Sequence, residues 1–380
     1  MTEIVLAGHI YAPIGMGEHV RCSHRALREA GIEPGLKDIY GLEPLTDPDF
    51  VQEFAAACGD GLSPDVNVFH INADEVDPSL AHLAGALPKG AYNIIYPAWE
   101  LSVFPQPWVA ALSRFDEIWA PSSFIAGAVS RAVDRPVIPM PLACEVRLSS
   151  FVGRRALGLP ESAFIFGFFF DFTSYLDRKN PFACLEAFRR LVADIPTADV
   201  ALVVKTNAAR AAPAELERFR AAVAAAGERV HVIDALLTDN ETKNLVRCCD
   251  CFVSLHRSEG YGRGMSEAMY LGKPVIATGY SGNMEFMTPQ TSYLVDHTLI
   301  PVRPGQYPFA EGQVWADPDI DHATRLMRHV MDNPGEARAR GEAASRRIRQ
   351  GFSYRAVGLR YRQRLETIAS DCERQPARAR

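Results

Sequence analysis

Glu259 and Glu267 stand eight positions apart in HRSEGYGRGMSEAMYLGKPVIATGYSGN (256–283), with three glycines and Arg263 between them. The apolar run 251–256 reads as a strand ending at His256, so residues 257–263 form the loop at its carboxyl end. A helix is expected to start near Met265 and to stop at Gly272-Lys273-Pro274. Gly260, Gly262 and Gly264 let the chain turn tightly there, and a helix start with open N–H groups attracts an anion, most often phosphate. Glu267 is expected in the first helical turn, where a carboxylate accepts hydroxyl hydrogen bonds. Glu259 is expected across the bend. Phosphate flanked by two polyols fits this layout, and a sugar nucleotide is such a ligand. Taken singly, Glu267 is equally a helix N-terminal acid and Glu259 a solvated loop acid.

Positive charge comes from FDFTSYLDRKNP (170–181), between the strand 164–170 and a helix beginning at Pro181. Arg178 and Lys179 there can neutralise a leaving diphosphate, or can be surface charges flanking a helix start. Gly15 and Gly17 in PIGMGEH follow the first strand and allow close approach by a phosphate or an acceptor. They do not complete G-x-G-x-x-G, no acid is placed for a nicotinamide ribose, and a plain tight turn also fits. His70 with Asn72, and Trp99 with Glu100, lie at further strand ends, where aromatic and polar groups together suit carbohydrate. Trp99 reads equally as core. Ser281, Gly282 and Asn283 follow the next strand, within reach of a donor sugar. Lys205 ends the run ALVVKT and either snorkels to the rim or faces the ligand. His256 is more simply a core or rim histidine.

These residues hang on two series of alternating strands and helices, the first opening with EIVLAG, the second with AFIFGFFFDF. The stretch RLSSFVGRRALGLPES reads as a linker between them. Such alternation implies parallel sheets with right-handed crossovers, hence an α/β fold of two Rossmann-like, doubly wound domains facing a cleft. The expected division is 1–148, 149–350 and a C-terminal helix with a basic tail over 351–380. A ligand would sit at the carboxyl ends of the strands, in the cleft.

The 380 residues suffice for two cores, and a net charge of −6 argues against nucleic-acid binding. No apolar run approaches the roughly 18 residues of a spanning helix, and MTEIVLAGHI lacks the basic start of a signal peptide, so a cytoplasmic protein is expected. Cys248, Cys249 and Cys251 have no partners at zinc-like spacing and read as free thiols; no metal is expected. Between Arg338 and Arg364 stand nine arginines and one acid, Glu342. That stretch is either a solvated helix packing back on the fold or a contact for an anionic membrane surface.

The run SEGYGRGMSEAMYLGKPVIATGYSGNMEFM, with its Glu-(seven residues)-Glu spacing, resembles the signature of retaining GT-B glycosyltransferases of family 4, over most of residues 115–350. The resemblance implies the GT-B fold, with the nucleotide mainly on the C-terminal domain and the acceptor on the N-terminal one. It implies that Glu267 binds the ribose hydroxyls and Glu259 those of the donor sugar. Backbone amides from Gly262 through Arg263 and Gly264 to Met265 would hold the diphosphate. Lys179 fits the family's lysine just before a helix, with Arg178 as its neighbour. The family's separate upstream arginine is absent, and Asp171 or Ser174 stands near its place. Gly15 and Gly17 match the glycine loop that faces the cleft. The implied reaction is front-side transfer of a hexose from a nucleoside-diphosphate sugar, GDP-mannose as the first guess, without metal or cofactor. The acceptor would be a cell-envelope glycan or a lipid-linked one, reached by peripheral membrane contact. A sugar-nucleotide epimerase on this scaffold and a non-catalytic sugar-nucleotide- or glycan-binding subunit are the alternatives.

Overall fold

A computed structural model of the chain describes residues 2–39, 46–83, 87–208 and 211–374. The basic tail beyond 374 lies outside the described residues. The chain divides into two compact units, one of Met1–Glu145 with Gln350–Arg380 and one of Val146–Arg349.

In the first unit six parallel strands, β1 (Ile4–Gly8), β2 (Gly35–Asp38), β3 (Val66–His70), β4 (Tyr92–Ile95), β5 (Glu117–Ala120) and β6 (Val137–Pro139), lie in the order β2-β1-β3-β4-β5-β6. Strands covered on both faces read as unbroken apolar runs, as IVLAG does, and every residue of β1 is buried. The helix Gly15–Glu29 already begins within PIGMGEH, although VRCSHRALREAG (20–31) alone reads as the amphipathic helix. The loop after β1 folds back onto its first turn: a Cβ on Gly17 would collide with the Ala12 carbonyl, and buried Arg21 donates to the Ile10 and Ala12 carbonyls at 2.8 and 2.9 Å. Gly15 and Gly17 therefore belong to the helix rather than to a loop before it.

The C-terminal helix Tyr354–Arg374 packs on Gly15–Glu29 so closely that a side chain at Gly358 would strike the Ala26 carbonyl. Arg364 on this helix pairs with Glu117, which is fully buried and also accepts from Trp119 Nε1 at 2.7 Å and Tyr92 Oη at 3.1 Å. A buried carboxylate needs that many partners, because its desolvation is otherwise uncompensated. Much of the arginine-rich stretch is tied to the fold in the same way. Arg340 donates to Glu336 and the Ser292 carbonyl, Arg347 to the Phe286 carbonyl, and Arg349 stacks over Tyr270 at 3.8 Å. Among the described residues no helix is long and apolar enough to cross a membrane.

The second unit holds β7 (Phe164–Phe169), β8 (Val200–Thr206), β9 (Val230–Asp234), β10 (Cys251–Ser254), β11 (Val275–Thr278) and β12 (Tyr293–Val295), all parallel in the order β12-β11-β10-β7-β8-β9. The chain runs from β7 to one side through β8 and β9, then returns to build outward from β10. The switch point is therefore the seam between β7 and β10, the place where open α/β sheets generally bind their ligands. Phe166, Phe168, Phe170 and Phe172 form the core with Phe188 and Leu191 of the helix Pro181–Asp194. Burial pushes the Cys249 thiol up to about 12, as befits a packed side chain rather than a nucleophile. The antiparallel hairpin of β13 (His297–Pro301) and β14 (Val314–Pro318) outside the main sheet was not anticipated from the sequence, nor were β2 and β12.

Candidate functional site

The loop after β7 is built to present charge. Asp171 caps it by accepting from the Thr173 N–H at 2.8 Å, and a 3-10 turn, Phe172–Ser174, follows. Tyr175 at φ +65° and Asn180 at φ +53° then bracket a four-residue helix, Leu176–Lys179. Left-handed backbone on side-chain-bearing residues costs on the order of 1–3 kcal/mol each and persists only where neighbours enforce it. One such neighbour is visible: Asn180 Nδ2 donates to the Leu255 carbonyl just past β10, at 3.0 Å.

That turn brings Arg178 and Lys179 onto Glu259. Lys179 Nζ lies 2.5 Å from Glu259 Oε1, and Arg178 NH1 3.3 Å from Oε2. Burial pushes the Glu259 carboxyl up, but the Lys179 and Arg178 cations outweigh it and hold the group at about 2. The two cations are not equivalent. Arg178 is only 4% exposed and spends its guanidinium on the Ser174 and Ser258 carbonyls at 3.1 and 3.0 Å. Its guanidinium is thus engaged by the protein itself, whereas the Lys179 side chain is 20% exposed.

Behind Glu259, YSGN forms a buttress. The Ser281 hydroxyl accepts from the Glu259 N–H at 2.8 Å, and the Gly282 N–H donates to the Glu259 carbonyl at 2.8 Å. A Cβ on Gly282 would overlap the Gly260 carbonyl, so only glycine fits this approach. Buried Asn283 donates to the Thr278 carbonyl at 3.0 Å and accepts from His256 Nε2 at 3.1 Å, so His256 Nδ1 accepts a hydrogen bond from the Ser254 hydroxyl at 3.0 Å. Burial also lowers the His256 pKa, which leaves it a neutral structural ring.

Gly262, at φ +97°, caps the helix Arg263–Tyr270, which begins two residues earlier than the sequence suggested. Glu267 accordingly sits in the second turn, not the first. The Met265 N–H bonds back to the Gly262 carbonyl at 3.1 Å, so it is spent inside the turn rather than offered to an anion. Gly264 lets the helix settle on Phe252 of β10, whose ring would lie 3.1 Å from any Cβ there. Arg263 and Glu267 are both half-buried.

Of the expected acceptor residues in the first unit, Trp99 and Asn72 are engaged within the fold. Trp99, 2% exposed, donates its indole N–H to the Val103 carbonyl at 3.0 Å and packs on Phe104 and Trp108, so it is a core ring. The Asn72 side chain accepts from the Ala98 N–H at 3.0 Å, bracing a turn, and Glu100 is half-buried. His70 is fully buried against His19 and Tyr96, and burial drops its pKa to about 3. The Asp-x-Asp stretches at 47–49 and 317–321 serve as caps and ion pairs: Asp47 and Asp319 cap helices, while Asp317 and Asp321 pair with Arg257 and Arg190. Among the described residues no three side chains gather that could hold a metal.

Sequence reasoning passed over Arg257, whose peptide N–H and guanidinium both bind the Arg178–Lys179 turn, at the Arg178 and Asp177 carbonyls. No local pattern marks it, because its partners are carbonyls distant in sequence. Lys205 is the penultimate residue of β8, which pairs directly with β7. Burial lowers its pKa against the pull of Asp171 and Asp234.

Two six-stranded parallel sheets with a charged switch-point loop define the class: the chain has the two-domain α/β fold of GT-B glycosyltransferases. Residues 165–303, which contain this site, match the family model described as glycosyl transferases group 1. No curated protein sequence matches the chain. Sucrose-phosphate synthase from Thermosynechococcus elongatus superposes with a TM-score of 0.68 at 16% identity, over 98% of this chain and 100% of that one. HepE of Anabaena, in complex with UDP-glucose, gives 0.67 at 14%, over 97% and 100%. The trehalose 6-phosphate synthase of Burkholderia multivorans gives 0.66 at 12%, over 99% and 98%. Identities this low establish the fold alone.

Proposed function

We propose that the chain is a retaining glycosyltransferase that moves a hexose from a nucleoside-diphosphate sugar to a glycan or lipid-linked acceptor. The observation that carries this reading is the Lys179–Glu259 pair, 2.5 Å apart at the β7–β10 switch point beside a glycine-started helix. As the bond from the anomeric carbon to the diphosphate breaks, negative charge grows on the phosphate oxygens. A fixed cation aimed at that charge is worth roughly 3–4 kcal/mol, often the largest single contribution. Lys179 supplies it, with Glu259 holding donor-sugar hydroxyls and Glu267 the ribose. The acceptor hydroxyl attacks on the face the diphosphate leaves, and its proton passes to a departing phosphate oxygen. HepE was solved with UDP-glucose, and TarM with alpha-GlcNAc-glycerol and UDP, which supports a nucleotide-sugar donor. GDP-mannose is tried first and UDP-glucose second.

The test is proton NMR of the purified protein with each donor and a panel of mono- and disaccharide acceptors. The expected outcome is release of nucleoside diphosphate with the sugar transferred in the donor's own anomeric configuration. An inverted product would contradict the retaining course, and an epimerised nucleotide sugar without diphosphate release would establish the epimerase reading instead.

A further inference from the structure

A four-residue helix is not stable by itself, since the few backbone bonds it makes do not offset its unfavourable nucleation. The turn Leu176–Lys179 is held from outside, and much of that hold leads to the β13–β14 hairpin. From β14 the Ala316 N–H donates to the Arg257 carbonyl at 3.0 Å, and Asp317 Oδ1 accepts from Arg257 NH2 at 3.2 Å. The same guanidinium lies over the Trp315 ring, 5.6 Å from its centroid. Arg257 then grips the turn: its N–H donates to the Arg178 carbonyl at 2.8 Å and NH1 to the Asp177 carbonyl at 2.9 Å.

The segment joining the two hairpin strands reaches the other end of the same turn. It lays Tyr307 against Tyr175, ring centroids 4.7 Å apart. Tyr175 is the residue whose left-handed backbone starts the turn, and it is 41% exposed. An exposed tyrosine would not keep such a conformation unaided, and Tyr307 is a neighbour that enforces it. Lys179 follows four residues later, its N–H on the Tyr175 carbonyl at 3.1 Å.

We infer that the hairpin is a positioning brace for Lys179, acting through Arg257 at one end of the turn and Tyr175 at the other. The inference rests on Lys179 being the cation that meets the diphosphate. Arg257, Asp317 and Tyr307 are positioning residues: Arg257 bonds to the turn, Asp317 holds Arg257 and Tyr307 packs on Tyr175, and together they set where the Lys179 ammonium stands when charge develops.

The experiment compares Asp317→Asn and Tyr307→Ala with the parent protein and with Asp317→Glu, in three measurements. The first is kcat and the Kd of the nucleoside diphosphate. In both disrupting variants kcat is expected to fall at least tenfold with Kd within threefold, and Asp317→Glu is expected to restore more than half of the activity. The second is the rate at which acetic anhydride labels Lys179 relative to exposed Lys89. An amine held charged by a carboxylate reacts slowly, so loosening the turn should speed Lys179 at least fivefold. The third is melting temperature. An unchanged kcat and labelling rate in either disrupting variant overturns the brace, as does a lower melting temperature with kcat retained at the assay temperature. If the parent transfers no sugar from any donor, the glycosyltransferase reading fails, and the labelling ratio alone decides whether the hairpin holds Lys179.

Discussion

Replacing Lys179 with alanine is expected to lower kcat by about 10²–10³, the size of effect seen when one preorganised donor to a developing oxyanion is removed. The expectation follows from the division of labour between the two cations. Arg178 is committed to the Ser174 and Ser258 carbonyls, whereas Lys179 reaches Glu259 from a partly exposed side chain that can also reach a phosphate. Lys179→Arg should recover only part of the loss, because a planar fork cannot occupy the place of a compact ammonium. Steady-state kinetics at saturating donor, with melting temperature to verify folding, reads the result. A kcat within threefold of the parent would show that the diphosphate charge is met elsewhere.

Glu259→Gln is the second large effect, and it has a pH signature. The folded carboxyl titrates at about 2, below its ordinary value of 4.5, because Lys179 and Arg178 overcome the burial that would raise it. Its ionised form therefore stabilises the fold fully above about pH 4.5, and that contribution is lost as pH falls from there towards 2. At pH 7 the glutamine variant leaves buried Arg178 and partly buried Lys179 without their counter-charge, at a cost on the order of 3 kcal/mol. The stability gap between parent and variant should narrow as pH drops through that window. Melting curves from pH 7 to pH 3 check this, and a gap independent of pH would mean that the cations do not depress the carboxyl. Activity should fall about 100-fold as well, since a neutral amide holds Lys179 without charge and offers one accepting oxygen where the carboxylate offers two.

Most of the parallel strands were legible because strands buried on both faces cannot hide their apolar runs, though the short β2 and β12 were not, and the seam between β7 and β10 follows once the loops 170–181 and 256–264 are known to follow strands. The placement of Lys179 and Glu259 on those loops was legible for the same reason. Helix starts were not. Gly15 and Gly262 look like loop residues in sequence, yet one sits in the first helical turn and the other caps its helix, which moved Glu267 one turn along. Trp99 could not be assigned from its neighbours, because its partners Phe104 and Trp108 reach it only through the local fold. Arg178 and Lys179 are adjacent in sequence, and the direction each faces depends on the left-handed backbone at Tyr175 and Asn180, which no residue pattern announces. The hairpin was hidden by the prolines and glycines between its strands, so its hold on Arg257 came only from the structure.

The donor site on the second unit is the central claim, and nucleotide binding tests it most directly. GDP, UDP, ADP, dTDP and CMP are screened by thermal shift on the parent and on Glu267→Ala. At 100 times its Kd a ligand stabilises the folded state by roughly 2.7 kcal/mol, a shift well within reach of the measurement. One diphosphate should raise the melting temperature of the parent, and the glutamate variant should lose most of that rise. No shift with any nucleotide, or an equal shift in both proteins, would contradict the account.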